Sequence, residues 1–495
     1  MQKEKQLASQ GVSPKDGAAL GPAREWNSLD FAQAKREVKR LQMRIAKAVE
    51  EGRYGRVKAL QYLLTHSFYA KILAVKRVTT NKGKKTPGVD GVVWTSSKQK
   101  MEAVRDMDQR GYRALPLRRI YIPKKNSHKK RPLSIPTMKD RGMQELYRLA
   151  LVPIAETLAD PHSSGFREGR RCADAMQRIF LVLAQKTSAC WIYDADVEGC
   201  FDNISSDWLM ANIPIDKRML RQWLKAGYME NGKPFPTHDG TPQGGIISPV
   251  LANMTLDGLD AVIRNAVPRA PANRKKRVHL IRYADDFVVV APSKETIEEY
   301  IVPAVTAFLH ERGLNVSKAK TRIVHVREGF DFLSQTVRKY GDKLIIRPSK
   351  AAVKTLLANV KAIIKAHQSK PTHVLIYRLN LTIRGWANYH RHVVSSEVFS
   401  YIDWRTNNML WQWARRRHQN RPPGWLNRRY WRVLGDYAFA AIWKDDKKTR
   451  RVAQLFRASS LPIKRHIVVK SAANPYGAEW QDYFQQRLAG KTVRV

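Results

Sequence analysis

The chain is short of cysteine, short of acid and without a long apolar run, and each shortage excludes something. Its three cysteines, Cys172, Cys190 and Cys200, form no CxxC pair, and none lies beyond position 200. That excludes a sequence-visible zinc site and a disulfide framework, and it fits a reducing, cytoplasmic setting. No apolar stretch approaches membrane-spanning length, and the N-terminus, Met1-Gln-Lys-Glu-Lys, has no signal-peptide core. No membrane partner is expected. Asp and Glu number 43 against 89 Lys and Arg, a net charge of +46 spread over 495 residues. A merely solubilising surface needs far less charge of one sign, so the excess reads as the footprint of a polyanion, nucleic acid. The length allows several domains with substantial cores.

What is present turns on ten residues, Ile281-Arg-Tyr-Ala-Asp-Asp-Phe-Val-Val-Val290. Aspartate is depleted from strands, so Asp285-Asp286 belongs at a tight turn between two short apolar strands. A hairpin this apolar is expected to be buried, and two carboxylates at its tip repel each other. Burying unpaired charge is costly, so a cation must sit there. A pair of divalent metal ions meets that need, and two-metal sites commonly run nucleotidyl transfer. For a bare Asp-Asp pair the alternative is a solvated turn; the flanking Tyr283 and the apolar run weigh against it.

Along the chain, residues 1–25 read as a mobile lead, and Asn27 to Leu73 carries a helical pattern. Val75 to Gly91 reads as a basic loop with Pro-Gly and Asp-Gly turn signals, either solvated or in contact with a nucleic-acid backbone through Lys82, Lys84 and Lys85. Arg118 to Pro136 reads as two strands joined by a basic hairpin. Lys124 and Arg131 in such a hairpin can fold over a triphosphate and neutralise charge developing on the leaving group. Helices are expected near Arg141 to Leu158 and Asp174 to Gln185. Trp191 begins a buried strand that finishes at Asp196, where a third carboxylate points toward the Asp285-Asp286 turn. In Gly240-Thr-Pro-Gln243-Gly-Gly the glycines allow close approach of a ligand. A helix is then expected over Val250 to Val262, another over Lys294 to Glu311, and a strand over Phe330 to Val337.

Beyond Arg347 the composition shifts. Residues 347–495 hold 29 Lys and Arg against 7 Asp and Glu, nearly half the net charge, and eight of the thirteen Trp. Helical patterns dominate there, and the tryptophans are expected mainly in a core rather than as base-stacking platforms. Arg415-Arg-Arg-His418, with Arg416 and Arg417, and Arg428-Arg429 are the candidate RNA contacts.

The order of these motifs resembles a reverse transcriptase, and more narrowly a bacterial group II intron-encoded protein. Three features carry the narrower resemblance: the block Asn81-Lys-Gly-Lys-Lys-Thr-Pro-Gly-Val-Asp-Gly91; Tyr283-Ala-Asp-Asp286, with Ala where retroviral enzymes usually carry Met; and Arg384-Gly-Trp-Ala-Asn-Tyr389 followed by Trp413 and the Arg-Arg-Arg-His run, similar to the maturase domain. The resemblance covers roughly residues 70 to 485. It implies an α+β fold: a right-hand polymerase with fingers and a split βαβ palm, then an α-helical thumb/maturase domain and a basic C-terminal DNA-binding segment. The implied divisions are 1–70 for the lead and helical extension, 71–346 for fingers and palm, 347–434 for the thumb and maturase domain, and 435–495 for the DNA-binding segment.

The resemblance also implies roles. Asp196, Asp285 and Asp286, with the backbone carbonyl of Val197, would hold two Mg²⁺ ions. Lys124 and Arg131 match residues that hold the dNTP triphosphate, Phe201 a steric gate against a ribose 2′-OH, and Gln243 a residue lining the nucleotide pocket. Lys320 matches a lysine proposed as general acid to pyrophosphate. Arg384 and the basic runs would meet nucleic acid. The implied partners are the intron RNA, target DNA and dNTPs, with the protein in the bacterial cytoplasm at the nucleoid; monomer and dimer both stay open.

Two departures stand out. Val197-Glu198 replaces the more usual Ile-Lys, which matters little if position 197 offers only its carbonyl. Ala473-Asn-Pro-Tyr-Gly-Ala-Glu-Trp480 resembles the segment that leads into an HNH-type endonuclease in many relatives, and no paired Cys motif follows. The expectation is that this chain does not cut the second DNA strand and takes its primer from a replication fork or another nick. The alternatives are a splicing-only maturase, or a reverse transcriptase serving CRISPR adaptation, retrons or phage defence.

Overall fold

Residues 22–123, 130–237, 239–268 and 278–489 are described by the computed structural model; Lys124 lies outside them. The helical pattern near the N-terminus resolves into helices Phe31–Glu50, Tyr54–His66 and Phe68–Thr80. Asp30 starts the first, its carboxylate accepting hydrogen bonds from the Ala32 and Gln33 amides that the helix leaves unpaired. The third helix corrects one expectation. Val75 to Thr80 is helical rather than loop, because Val75, Val78 and Thr79 lie on its buried face; the basic loop begins at Asn81. All three helices pack on the helix Met138–Leu158.

The basic hairpin forms as expected from β1 (Leu117–Pro123) and β2 (Lys130–Ile135), paired antiparallel with Ile122 opposite Arg131. The strand expected at Trp191 is β3 (Trp191–Asp196) and belongs to a second sheet. Two short strands, β4 (Tyr228–Glu230) and β5 (Lys233–Phe235), complete the first sheet in the order β2-β1-β4-β5.

The second sheet contains the acidic hairpin, β6 (His279–Tyr283) and β7 (Asp286–Ala291), and β8 (Arg322–His325), in the order β6-β7-β3-β8. Every pairing in it is antiparallel. It is buried on both faces, which explains its continuous apolar runs. Tyr193, Ala195, Phe287 and Val289 face the large core shared with the N-terminal helices, while Ile192, Val288 and Val290 face a smaller core on the other side. The period-two alternation of side chains splits the same strands between the two cores.

Two further expectations need correction. The helix over Val250 to Val262 is two helices, Ser248–Leu256 and Leu259–Ala266, because Asp257 turns extended and Gly258 takes a φ of 94°. The strand over Phe330 to Val337 is a hairpin of β9 (Phe330–Phe332) and β10 (Gln335–Tyr340), turned at Leu333 and Ser334, both left-handed. With β11 (Lys343–Pro348) these strands back the smaller core.

A third core belongs to the helices Lys350–Ala366, Thr372–His390, Ser396–Arg417 and Pro423–Tyr430. Trp413 and Trp431 are buried in it, and Trp386, Trp411 and Trp425 pack against it, as expected for structural tryptophans; Trp404 is exposed. The hairpin of β12 (Ala440–Lys444) and β13 (Arg450–Gln454) lies on the helix Thr372–His390. The chain then runs back to the second sheet's neighbourhood, where Tyr476 joins the large core. Among the described residues, no helix is long and apolar enough to cross a membrane.

Candidate active site

The turn of the acidic hairpin is a two-residue loop, Ala284-Asp285, closed by the Tyr283–Asp286 pair, so Asp286 is already the first residue of β7. Ala284 adopts a φ of 57°, a left-handed conformation that costs a residue with a Cβ roughly 1–3 kcal/mol and persists only where the surroundings impose it. Here they do. Gly165 packs so closely that a Cβ on it would overlap the backbone nitrogen of Ala284. The Ser164 amide donates to the Arg282 carbonyl at 2.9 Å, and the Arg282 amide donates to the His162 carbonyl at 3.2 Å. The Arg282 side chain, wholly buried, donates to the Ala284 carbonyl at 3.3 Å, to Asn253 Oδ1 at 3.3 Å and to the Asp257 carboxylate. Asn253 in turn donates to the Gly165 carbonyl at 2.8 Å. The break at Asp257-Gly258 therefore has a purpose: it places the Asp257 carboxylate on Arg282.

Sequence reasoning did not find Arg282, Asp257, Asn253 or Gly165. One signal was available, since an arginine inside a strand buried on both faces requires a carboxylate. Which carboxylate it takes is a long-range contact that one sequence does not reveal.

Asp196 ends β3 directly opposite Asp286 in the strand register. In an antiparallel pair, opposite residues point to the same face, so the two carboxyls crowd each other. Desolvation and the neighbouring Asp196 and Asp285 carboxyls push Asp286 up to about 7, although its side chain still reaches solvent. Burial and the charge of Asp196 also raise Asp285, opposed by Lys320 and Arg131. Lys320 forms an ion pair with Asp196, which raises the lysine above its ordinary value. Val197 is buried and bridged to Val316; the hydrogen bonds that tie this stretch involve its neighbours, Glu198 to the Asn315 carbonyl and Ser317 to the Asp196 carbonyl.

Among the described residues, no three His, Cys, Asp or Glu side chains close around a point as a finished metal centre. The donor set nonetheless fits hard divalent cations. Asp196, Asp285 and Asp286 are crowded enough that Asp285 and Asp286 are both raised from their ordinary values, and the cationic groups that reach them come from Lys320 and Arg131. All three supply oxygen ligands only.

Of the residues expected around a nucleotide, Arg131, Phe201 and Gln243 lie at the same end of the sheet. Arg131 on β2 is near enough for its charge to act on Asp285. Phe201 lies in the helical turn Cys200–Asn203 that follows β3, its ring edge-on to Phe166 with centroids 6.3 Å apart. The Thr241 amide donates to the Phe201 carbonyl at 2.6 Å, and the Gln243 side chain donates to Asp202 at 2.9 Å. The Ser134 amide of β2 donates to the Gln243 carbonyl at 2.7 Å. Gly244, at a φ of 120°, lies where an added Cβ would overlap the Ser134 carbonyl oxygen. The Thr-Pro-Gln-Gly-Gly loop thus joins the basic hairpin to the carboxylate strands.

The nine residues expected to meet nucleic acid sit on other elements. Lys82, Lys84 and Lys85 are exposed on their loop, and Arg428 and Arg429 are exposed on the helix Pro423–Tyr430. Arg384 is exposed with its guanidinium 4.9 Å from the Phe456 ring centroid. Arg415, Arg416 and Arg417 are all exposed, and Arg417 also donates to the carbonyls of Gln368 and Lys370 at 2.9 and 2.8 Å.

A sheet in the order β6-β7-β3-β8 with carboxylates at adjacent strand ends, a basic hairpin sheet before it and a helical domain after it define a right-hand polymerase fold. Residues 122–337 match the family "Reverse transcriptase (RNA-dependent DNA polymerase)", residues 26–107 its N-terminal domain, and residues 353–431 the "Group II intron, maturase-specific domain". Over 333 residues the chain is 31% identical to the protein YkfC of Escherichia coli K12, covering 59% of this chain and 87% of that one. Over 366 residues it is 29% identical to the group II intron-encoded protein LtrA of Lactococcus lactis, covering 61% of this chain and 60% of LtrA. It is also 29% identical over 320 residues to a 91 kDa protein in the cob intron of Schizosaccharomyces pombe, covering 53% of this chain and 39% of that one. The chain belongs to the family of group II intron-encoded reverse transcriptase/maturase proteins. It spans about 60% of the length of LtrA.

Proposed function

We propose that the protein is an RNA-directed DNA polymerase with maturase activity, which binds its intron RNA, assists splicing, and copies that RNA into DNA at the insertion site. The observation that carries the polymerase reading is the meeting of Asp196, Asp285 and Asp286 at one end of the second sheet, with Arg131, Phe201 and Gln243 beside them. The match of residues 353–431 to the maturase-specific domain and the basic composition beyond Arg347 support the RNA-binding half.

In this reading Asp196, Asp285, Asp286 and the Val197 carbonyl hold two Mg²⁺ ions. Bound there, the ions would supply acidification of the primer 3′-OH and neutralisation of charge on the reacting phosphates. Arg131, with Lys124, holds the dNTP triphosphate, and Lys320 provides a proton to the departing pyrophosphate. Phe201 bars a ribose 2′-OH, and Gln243 lines the base and sugar pocket, steadied by Asp202. Residues 71–346 then act as fingers and palm, 347–434 as thumb and maturase domain, and 435–495 as a DNA-contacting segment.

The test is primer extension by the full chain on an RNA template with an annealed DNA primer. Incorporation of dNTPs is expected with Mg²⁺ and is lost on chelation, while RNA binding persists. Binding and splicing assistance without any incorporation would favour the splicing-only reading.

A further inference from the structure

The C-terminal segment does more than follow the helical domain; it returns to the acidic hairpin. The Lys464 amide donates to the Arg391 carbonyl at 2.9 Å. His466, the Val469 amide and Arg487 all converge on one oxygen of Asp174, in the helix Cys172–Leu183, at 2.7–2.8 Å. Tyr476 donates to Glu168 at 2.9 Å, and Phe484 packs on Gly169.

This return encloses a cleft of about 780 Å³ that reaches Tyr283, the residue that closes the catalytic turn. Six permanent cations line it: Arg170, Arg171, Arg391, Lys464, Arg465 and Arg487; no carboxylate does. Among the described residues only Arg487 of the six is ion-paired, to Asp174. The Nε atoms of Arg170 and Arg391 are buried without a hydrogen-bond partner in the protein. Cations crowded with so little counter-charge are stable against a polyanion.

We propose that residues 462–488 are a working part of the polymerase, completing with Arg170, Arg171 and Arg391 a cleft that holds the phosphate backbone of the growing DNA strand. The proposal rests on the polymerase reading above. In-line transfer places the attacking strand end and the leaving group on opposite sides of the reacting phosphate. Arg131, Phe201 and Gln243 approach from β2 and from the end of β3, whereas Tyr283 ends β6, the edge strand on the other side of β7. A strand reaching the carboxylates from the side away from the triphosphate passes Tyr283, and the cleft lies there.

The test uses the full chain carrying Lys464→Gln and Arg465→Gln, both exposed and outside the carboxylate site, with thermal melting as the check on folding. Affinity is measured by fluorescence anisotropy for a DNA primer annealed to an RNA template and for single-stranded RNA alone, over a range of salt. Primer–template affinity is expected to fall at least about tenfold at moderate salt, and its log–log salt slope to shrink by about 2. The KM for dNTP stays within about twofold and RNA-only binding holds, the pattern of two lost backbone contacts. Unchanged primer–template affinity would overturn the proposal while leaving the polymerase reading intact. An equal loss of RNA-only binding would overturn it in favour of an RNA-holding cleft. If the wild-type chain extends no primer, the polymerase reading fails, and the affinity comparison still decides what the cleft holds.

Discussion

Asp196, the last residue of β3, stands directly across from Asp286, the first residue of β7, so their carboxyls face the same side of the sheet. The register of two antiparallel strands therefore brings together residues ninety positions apart. Because the pairing runs on through Ala195–Phe287 and Asp194–Val288 into two buried cores, the acidic pair cannot drift without unpacking the sheet. The position of the carboxylates is a property of the fold.

Arg282 is the concealed support of that position. Arg282→Met leaves Asp257 buried without its cation, and loss of one partner of a buried ion pair costs about 3–5 kcal/mol. The expected outcome is a clear fall in melting temperature and in soluble yield. Adding Asp257→Leu should restore part of the stability, since replacing paired charges by apolar groups is often close to neutral, while Asp160, 3.9 Å from Arg282, stays buried without that cation. Incorporation should stay low in the double variant, because the Ala284 carbonyl has lost its donor. Full recovery of activity would remove Arg282 from any positioning role.

Gly165→Ala probes the same turn from the other side. The added methyl meets the backbone of Ala284, which cannot swing away as a side-chain end can. Primer extension should fall by more than about tenfold, as a misplacement of about 1 Å at a reacting centre can cost a hundredfold. Forcing the two backbones apart should also lower stability by about 1–3 kcal/mol, while RNA affinity should change little. A fully active Gly165→Ala variant would show that the turn has room the structure does not give it.

The acidic hairpin, the basic hairpin and the end of β3 were legible because each is a local pattern: β-branched runs interrupted by residues that strands reject. The helical domain was legible from its spacing. The long-range pairings were not. Nothing near Asp257 announces that it breaks a helix to meet Arg282, and nothing in residues 462–488 announces that they dock on Asp174. Val75 to Thr80 was misread because its lysine and arginine lie on the exposed face of a helix whose valines are buried. The Leu333-Ser334 turn was hidden because neither residue is a glycine, although both take positive φ.

The Arg415-Arg416-Arg417 run divides in the structure, and the division can be measured. Arg415→Gln with Arg416→Gln should leave the melting temperature unchanged and reduce the log–log salt slope of RNA binding by about 1.5–2. Arg417→Gln should lower stability by about 0.5–1.5 kcal/mol, since its guanidinium holds the carbonyls of Gln368 and Lys370. A stability loss from the first pair, or none from Arg417, would contradict this assignment.

The most direct measurement is primer extension by the Asp285→Ala variant beside the wild type, with RNA affinity determined on the same preparations. If the carboxylates at the Asp196–Asp286 pair are the synthetic centre, incorporation should drop at least about a thousandfold, the scale on which one preorganised electrostatic group registers. RNA affinity should stay within about twofold of wild type. Incorporation that survives in Asp285→Ala, with the fold intact, would contradict the account.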